Sequence, residues 1–495
     1  MMKIIDYVIN STTEYTKHMS KELRKKSGQF FTSKETALFM ASLFDLNKYK
    51  SEISILDPGA GSGILSAALI EHINKIKNIN KIKLTCYEND NNILELLKNN
   101  LIWIAENSRI KVEWEIIPEN YITNQRLEYN GINLDSLKYD GVIGNPPYMK
   151  IAKTSTEAEI MSDVCYGAPN MYFLFMTMGM FNLTDDGELV FIIPRSWTSG
   201  AYFRKFRQKI LNEGILEHIH LFISRDKVFE KETILQETMI VKVRKTNKNP
   251  ESIVITTTQN NGDFSNKTIF KTSYDNVVAG ENKYVYLVTN KEEADILEKM
   301  NTWSDTLPSI GLKMKTGLTV DFRNRNMLRN CPEKESVPLF YSQHIKEGKV
   351  IFPIGKENEY ILTNQSGLLQ ENTNYLFVKR FTAKEERRRL QCGIYLSKKY
   401  SKYKMISTQN KINFITGLKS LSECMVYGLY VLFNSTLYDS YYRILNGSTQ
   451  VNSTEINSMP VPPVNTIEKM GKELMKIHDM SEDSCNKILG RFIYE

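Results

Sequence analysis

Cysteine is scarce in this chain, and its six copies (Cys86, Cys165, Cys331, Cys392, Cys424 and Cys485) stand far apart. No C-x-x-C pair and no histidine cluster occurs, which argues against a zinc site or a disulfide framework and for a reducing cytosol. Long apolar runs are missing too. None approaches the roughly 20 residues needed to span a bilayer, so no membrane partner is expected. The first 26 residues are mixed and charged, unlike a signal peptide. No repeat or low-complexity tract stands out beyond a general richness in Lys, Asn and Ile. Nor is the charge one-sided: 64 basic and 57 acidic residues leave a net +7. That excess suits a polyanion partner, but ordinary surface charge explains it as well. What remains is a chain of 495 residues, long enough for two or three domains with separate cores.

The most informative stretch is Asn145-Pro146-Pro147-Tyr148, which follows the apolar run 139–144 and so sits at the end of a buried strand. Consecutive prolines stiffen the backbone and supply no N–H groups, so nearby carbonyls are left to accept. Asn145 adds a side-chain oxygen and Tyr148 a flat face. Together they can clamp a planar group bearing an exocyclic amine, which donates to Asn145 and the Pro146 carbonyl while its ring stacks on Tyr148. A plain Pro-Pro turn closing a strand is the competing reading.

A second motif bears on that choice. The strand Ser54-Ile55-Leu56-Asp57 runs into Pro58-Gly59-Ala60-Gly61-Ser62-Gly63, followed by apolar residues at helical spacing. Gly59, Gly61 and Gly63 permit a tight turn with a ligand lying against the backbone. The spacing is not G-x-G-x-x-G, and no Lys-Ser/Thr follows for a phosphate loop. Asp57 suits a cationic amino group better than a phosphate. A later strand, 83–88, ends in Glu88, where a ribose-binding carboxylate sits in such folds. Strand, glycine turn, helix, strand and acid describe an S-adenosylmethionine site.

These blocks resemble the adenine-N6 DNA methyltransferases of the gamma motif order, a restriction-modification family. Its cofactor motifs precede the Asn-Pro-Pro-Tyr motif and a C-terminal target-recognition domain. The resemblance covers most of the chain and is most specific at 29–33, 57–63 and 145–148, more loosely at Val228-Phe229. It implies that Phe31 and Thr32 close over the methionine end of the cofactor, with Ser33 where the family usually has Pro. It also implies that Glu88 binds the ribose. Asn120 stands where an Asp usually meets the adenine amine, and an amide oxygen could still accept there, with Tyr121 against the ring. Asn145, Pro146, Pro147 and Tyr148 would be catalytic, and Phe229 would supply the second face around the target base unless it is a core residue.

The fold expected is α/β: a Rossmann-like methyltransferase domain over residues 1–245, then an α+β target-recognition domain over 246–495. The first half alternates strands with helical stretches, including strands at 187–194 and 238–243. Between these, Phe203, Phe206, Ile210 and Leu211 form an apolar stripe, with Arg204, Lys205, Arg207 and Lys209 on the other side. The polar run 245–250 reads as a linker. From Asn374 to Lys411 there are eleven Lys/Arg and two acids, interleaved with aromatics. Lys379, Arg380, Arg387, Arg388, Arg389, Lys398 and Lys399 are therefore candidates for double-stranded DNA, a solvated helix face being the alternative for the 384–389 run. The segment 434–463, with its Gly-Ser-Thr-Gln loop, resembles the end of target-recognition domains, although packing explains Tyr441 and Tyr442 equally well.

The expected reaction is therefore site-specific methylation of adenine N6 with the base out of the stack. No metal is called for. The same clamp also serves enzymes acting on guanine N2 of RNA or on protein glutamine, which are usually shorter. A fused nuclease is disfavoured, since some 28 residues precede the Gln-Phe-Phe-Thr block. A cognate restriction endonuclease is expected as a separate chain, and the setting as a prokaryotic cytoplasm. A non-catalytic DNA binder has no physical need for both motifs.

Overall fold

The computed structural model describes residues 2–17, 31–49, 51–133, 136–223, 238–248, 250–262, 264–383, 386–445 and 450–493. The chain divides into two compact units, Met1–Thr198 with Tyr202–Thr289, and Ser199–Ala201 with Asn290–Glu495.

The first unit is built on a nine-stranded sheet. Its strands are β1 (Glu52–Asp57), β2 (Lys81–Tyr87), β3 (Lys111–Ile117), β4 (Tyr139–Gly144), β5 (Leu183–Pro194), β6 (Ile215–Phe222), β7 (Thr238–Arg244), β8 (Ser252–Thr258) and β9 (Thr268–Ser273), in the order 3-2-1-4-5-7-6-8-9. Strands β1 to β5 run parallel, and β7 is inserted antiparallel between β5 and β6. The central strands are near-continuous apolar runs, as strands buried on both faces must be. The strand order reverses between β1 and β4, which opens a crevice at their carboxyl ends. The register Ile55↔Gly141 and Leu56↔Val142 brings the end of β1 and the end of β4 to the same edge.

Two expectations are corrected here. Strands β8 and β9 extend the same sheet, so residues 245–248 and 250 lie within the first unit rather than in a linker between units. Lys245 even continues the pairing, with its N–H donating to the Gly187 carbonyl at 3.0 Å. The boundary lies at 289/290, not 245/246. The helix Arg204–Glu213 buries Phe206, Ile210 and Leu211, but it buries Arg207 as well. That guanidinium donates to the carbonyls of Trp197 (3.0 Å) and Asn282 (3.1 Å) and lies over the Tyr284 ring, which satisfies its charge inside the unit.

The second unit is α+β. A six-stranded sheet, mostly antiparallel, includes Leu312–Thr316, Ile412–Gly417, Tyr375–Lys379 and Cys392–Tyr395, and a five-stranded sheet accompanies it. Helices Glu423–Asn434, Thr436–Leu445, Val464–Ile477 and Glu482–Phe492 follow. Helices Glu423–Asn434 and Val464–Ile477 cross where each carries a glycine. A Cβ on Gly428 would lie 1.8 Å from the Ile467 carbonyl oxygen, and one on Gly471 1.8 Å from that of Cys424.

Candidate active site

The glycine turn forms because Gly61 (φ +55°) and Gly63 (φ +85°) hold left-handed backbone that a side chain disfavours. Gly63 then caps the helix Ile64–Ile73. The turn is braced from behind. Thr12 on the helix Ile4–Lys17 donates to Ser62 Oγ at 2.8 Å, and Asn100 donates to the Ser62 carbonyl at 2.8 Å. The N-terminal helix therefore belongs to the site's framework, and nothing in its mixed sequence announced that.

Asp57 sits under the turn rather than facing a ligand. It is fully buried, and Ser66 Oγ donates to its Oδ2 at 2.8 Å. Loss of water pushes its carboxyl up to about 7, and the nearby Glu88 charge adds to the rise. The expectation that Asp57 meets a cationic group directly is therefore corrected: its side chain folds back onto the helix. Gly63 likewise shapes the turn without lining the space in front of it.

That space is a cavity of about 330 Å³, lined among others by Phe31, Thr32, Gly59, Gly61, Glu88, Asn120, Tyr121, Asn145 and Pro147. Seven of the nine proposed cofactor positions thus converge, all but Asp57 and Gly63. Glu88 Oε2 accepts from the Gly61 N–H at 2.9 Å and Oε1 from the Asp90 N–H at 2.8 Å, which fixes the carboxylate at the end of β2. Burial raises its pKa. Tyr121 packs its ring 5.0 Å from that of Tyr87 and 5.5 Å from that of Phe175, and donates its hydroxyl to Asn182 at 2.7 Å. The three rings wall one end of the cavity. Ser33 replaces Pro to good effect, since its hydroxyl caps the helix Lys34–Ser42. Gln29, Phe30, Val228 and Phe229 lie outside the described residues.

Asn145 follows β4 directly. Its Nδ2 donates to Thr32 Oγ1 at 3.2 Å. The Tyr148 hydroxyl lies 2.8 Å from Asn145 Oδ1 and 2.9 Å from the Ile192 carbonyl oxygen, so one proton is shared between two acceptors. Tyr148 thereby sets which way the Asn145 amide points. Burial holds its phenol well above its ordinary pKa, so it remains a donor.

The profile of the Eco57I restriction-modification methylase family matches residues 69–229. The type II methyltransferase M.PstI of Providencia stuartii is 34% identical over 481 residues, covering 94% of this chain and 91% of that protein. M.BsuBI of Bacillus subtilis, also a type II methyltransferase, is 33% identical over 464 residues and 91% of each chain. This chain belongs to the type II methyltransferases. Among solved structures, the type IIL restriction-modification enzyme MmeI in complex with DNA shares the fold. It has 12% identity, a TM-score of 0.53, and coverage of 98% of this chain and 75% of that one.

In this methyltransferase the cavity's chemistry fits S-adenosylmethionine. Glu88, Asp90, Glu119 and Glu157 line it, and among the described residues no Lys, Arg or His does. Such a lining favours a ligand carrying sulfonium and ammonium charge and repels a phosphate. Among the described residues no cluster of acids, histidines or cysteines could hold a metal ion.

Glu157, Met149 and Phe175 are among the lining residues that were not foreseen. Phe175 did leave a signal. Asn170 stands before an unbroken apolar run and caps the helix Met171–Asn182, the pattern of a helix buried on all sides.

The basic segment of the second unit divides. Arg389 is 1% exposed, donates to Thr382 Oγ1 at 3.1 Å and lies over the Tyr442 ring. Arg388 is largely covered, bound to Glu482 and to the carbonyls of Phe433 and Ser435. Both are corrected from phosphate contacts to internal supports: the chain at 386–390 is not helical, and Asp439 draws the N–H groups of Arg389 and Leu390 inward. Arg387 (85% exposed) and Lys398 (63%) stay at the surface, though paired with Glu482 and Glu423. Lys399 is exposed. Lys379 bonds Gln391, while Arg380 bonds the Asn410 carbonyl and Gln450. Tyr441 and Tyr442 are core residues.

Proposed function

We propose that this chain methylates N6 of adenine within a short duplex DNA sequence, as the modification arm of a restriction-modification system. The observation that carries the reading is Asn145 to Tyr148 at the end of β4, beside a cation-favouring cavity floored by the glycine turn. Membership in the type II methyltransferases supports DNA as the substrate.

S-adenosylmethionine, when bound, supplies an electrophilic methyl group. Phe31, Thr32, the Gly59–Gly61 backbone, Glu88 and Tyr121 would hold it. An adenine amine inside a duplex cannot reach this cavity, so the base leaves the stack at a cost of about a few kcal/mol. Its lone pair is delocalised into the ring. A carbonyl oxygen has two acceptor sites, so Asn145 Oδ1 can serve Tyr148 and the substrate amine together. Bonds to that oxygen and to the Pro146 carbonyl favour a pyramidal nitrogen, which stabilises the transition state more than the ground state. The Tyr148 ring offers a stacking face, and Phe229 is proposed as the other.

DNA contact is proposed for Lys379, Arg380, Arg387, Lys398 and Lys399 in the second unit. A separate restriction endonuclease is the proposed functional partner, and the bacterial cytoplasm the proposed setting. The test is incubation with methyl-labelled S-adenosylmethionine and separate pools of duplex DNA, RNA and protein, followed by nucleoside analysis. Label in DNA as N6-methyldeoxyadenosine supports the reading and maps the target sequence. Label in RNA or protein alone overturns it in favour of another planar amine.

A further inference from the structure

One end of the cavity combines an aromatic wall with an amide whose oxygen is already engaged. Asn120 caps the helix Tyr121–Asn124, and its Oδ1 accepts from the Ile122 N–H at 3.0 Å and the Thr123 N–H at 3.2 Å. Both acceptor sites of that oxygen are thereby occupied, and Nδ2 can only donate. It donates to Glu157 Oε1 at 2.9 Å. Glu157 lies on the short helix Thr156–Ile160, capped by Ser155. It is half-buried and lines the cavity. Among the described residues its second oxygen has no hydrogen-bond partner.

We propose that Glu157 accepts the exocyclic amine of the cofactor's adenine, with Asn120 orienting the carboxylate. The proposal rests on the cavity being the S-adenosylmethionine site. A purine needs a flat wall and an acceptor beside it. Tyr121 and Phe175 make the wall, and Asn120 no longer offers an acceptor. The other carboxylates are engaged. Glu88 holds two backbone N–H groups, Asp90 caps the helix Asn91–Asn107, and the exposed Glu119 binds the Asn124 amide. Glu157 supplies the missing acceptor, and its charge makes that bond stronger than an amide oxygen would.

The test is calorimetric binding of S-adenosylhomocysteine and its deaminated counterpart S-inosylhomocysteine to the full-length protein. The 6-oxo group of the latter cannot donate to a carboxylate. The wild-type protein should favour the adenosyl ligand by about ten-fold or more. Glu157→Gln, whose amide can donate to an oxo group, should erase most of that preference. Asn120→Ser keeps a capping oxygen but removes Nδ2, and should lower the preference by a smaller factor. Equal weakening of both ligands by Glu157→Gln, or an undiminished preference in both variants, overturns the proposal. A wild-type protein that binds neither ligand would instead sink the S-adenosylmethionine reading, and this proposal with it.

Discussion

Asn145 is held in one orientation before any substrate arrives. Thr32 receives its N–H and Tyr148 supplies a proton to its oxygen, so removing the amide should spare the cavity while disabling the chemistry. Asn145→Ala should leave S-adenosylhomocysteine affinity near the wild-type value and lower single-turnover methyl transfer by about 100-fold or more. Parallel loss of affinity and rate would make the loop a structural element. Tyr148→Phe keeps the ring and loses the orienting hydroxyl, so transfer should fall by about ten-fold, the scale of one hydrogen bond. A loss as large as that of Asn145→Ala would assign the hydroxyl a direct role. His218 and His220 illustrate a different residue-scale effect. Burial among Phe39, Phe222 and Phe264, helped by nearby cations, lowers them to about 4 and about 3 from 6.5. A folded pKa below the unfolded one means stability present above about 6.5 and lost as pH falls toward 4 and 3. The melting advantage of the wild-type protein over His220→Gln should therefore shrink as pH drops through that window. An advantage that is constant with pH would mean His220 is already charged when folded.

At the scale of elements, the second unit depends on two helices approaching backbone to backbone. Gly428 and Gly471 lie where any side chain meets a carbonyl oxygen of the facing helix. Gly428→Ala and Gly471→Ala should each destabilise the protein by about 3 kcal/mol, the upper end of the usual overpacking cost, because backbone cannot swing aside as a side chain does. Ordinary glycine-to-alanine gains in helix propensity act the other way by about 1 kcal/mol and are outweighed. Differential scanning calorimetry decides the matter, and an unchanged or raised melting temperature in both variants would mean the helices separate without penalty. In the first unit the equivalent element is the glycine turn, where the left-handed backbone at Gly61 and Gly63 calls for glycine and Thr12 and Asn100 brace Ser62 from behind.

At the scale of the whole molecule, a net +7 is too small to locate a nucleic-acid surface. What matters is which cations remain in water. Lys398 and Lys399 are exposed, and neutralising both should flatten the dependence of log affinity for DNA on log salt by about 2 units. An unchanged slope would assign them to solvent. Arg389→Ala should behave differently: the loss of a buried guanidinium and its bonds lowers the melting temperature, with little direct effect on the slope.

The sequence by itself determined the parallel α/β core, the glycine turn, the position of Glu88 at a strand end and the placement of Asn145 after a buried strand. Each of these rests on local physics: strand burial shows as apolar runs, a left-handed turn needs glycine, and prolines end a ladder. Pattern alone left open the contribution of partners distant in the chain. β8 joins the first sheet by pairing with β6 and β9 by pairing with β8, so the unit closes at 289 rather than 245. Arg207 and Arg389 look like surface cations locally, yet carbonyls (for Arg207), the Thr382 hydroxyl (for Arg389) and aromatic rings hold them inside. Asp57 turns beneath the loop because Ser66 comes within reach, and Asn120 meets Glu157 across 37 positions of chain. Local sequence sets backbone preference and periodicity. The tertiary structure decides which polar groups find partners out of water, and on this depended both the final membership of the site and the limits of its unit.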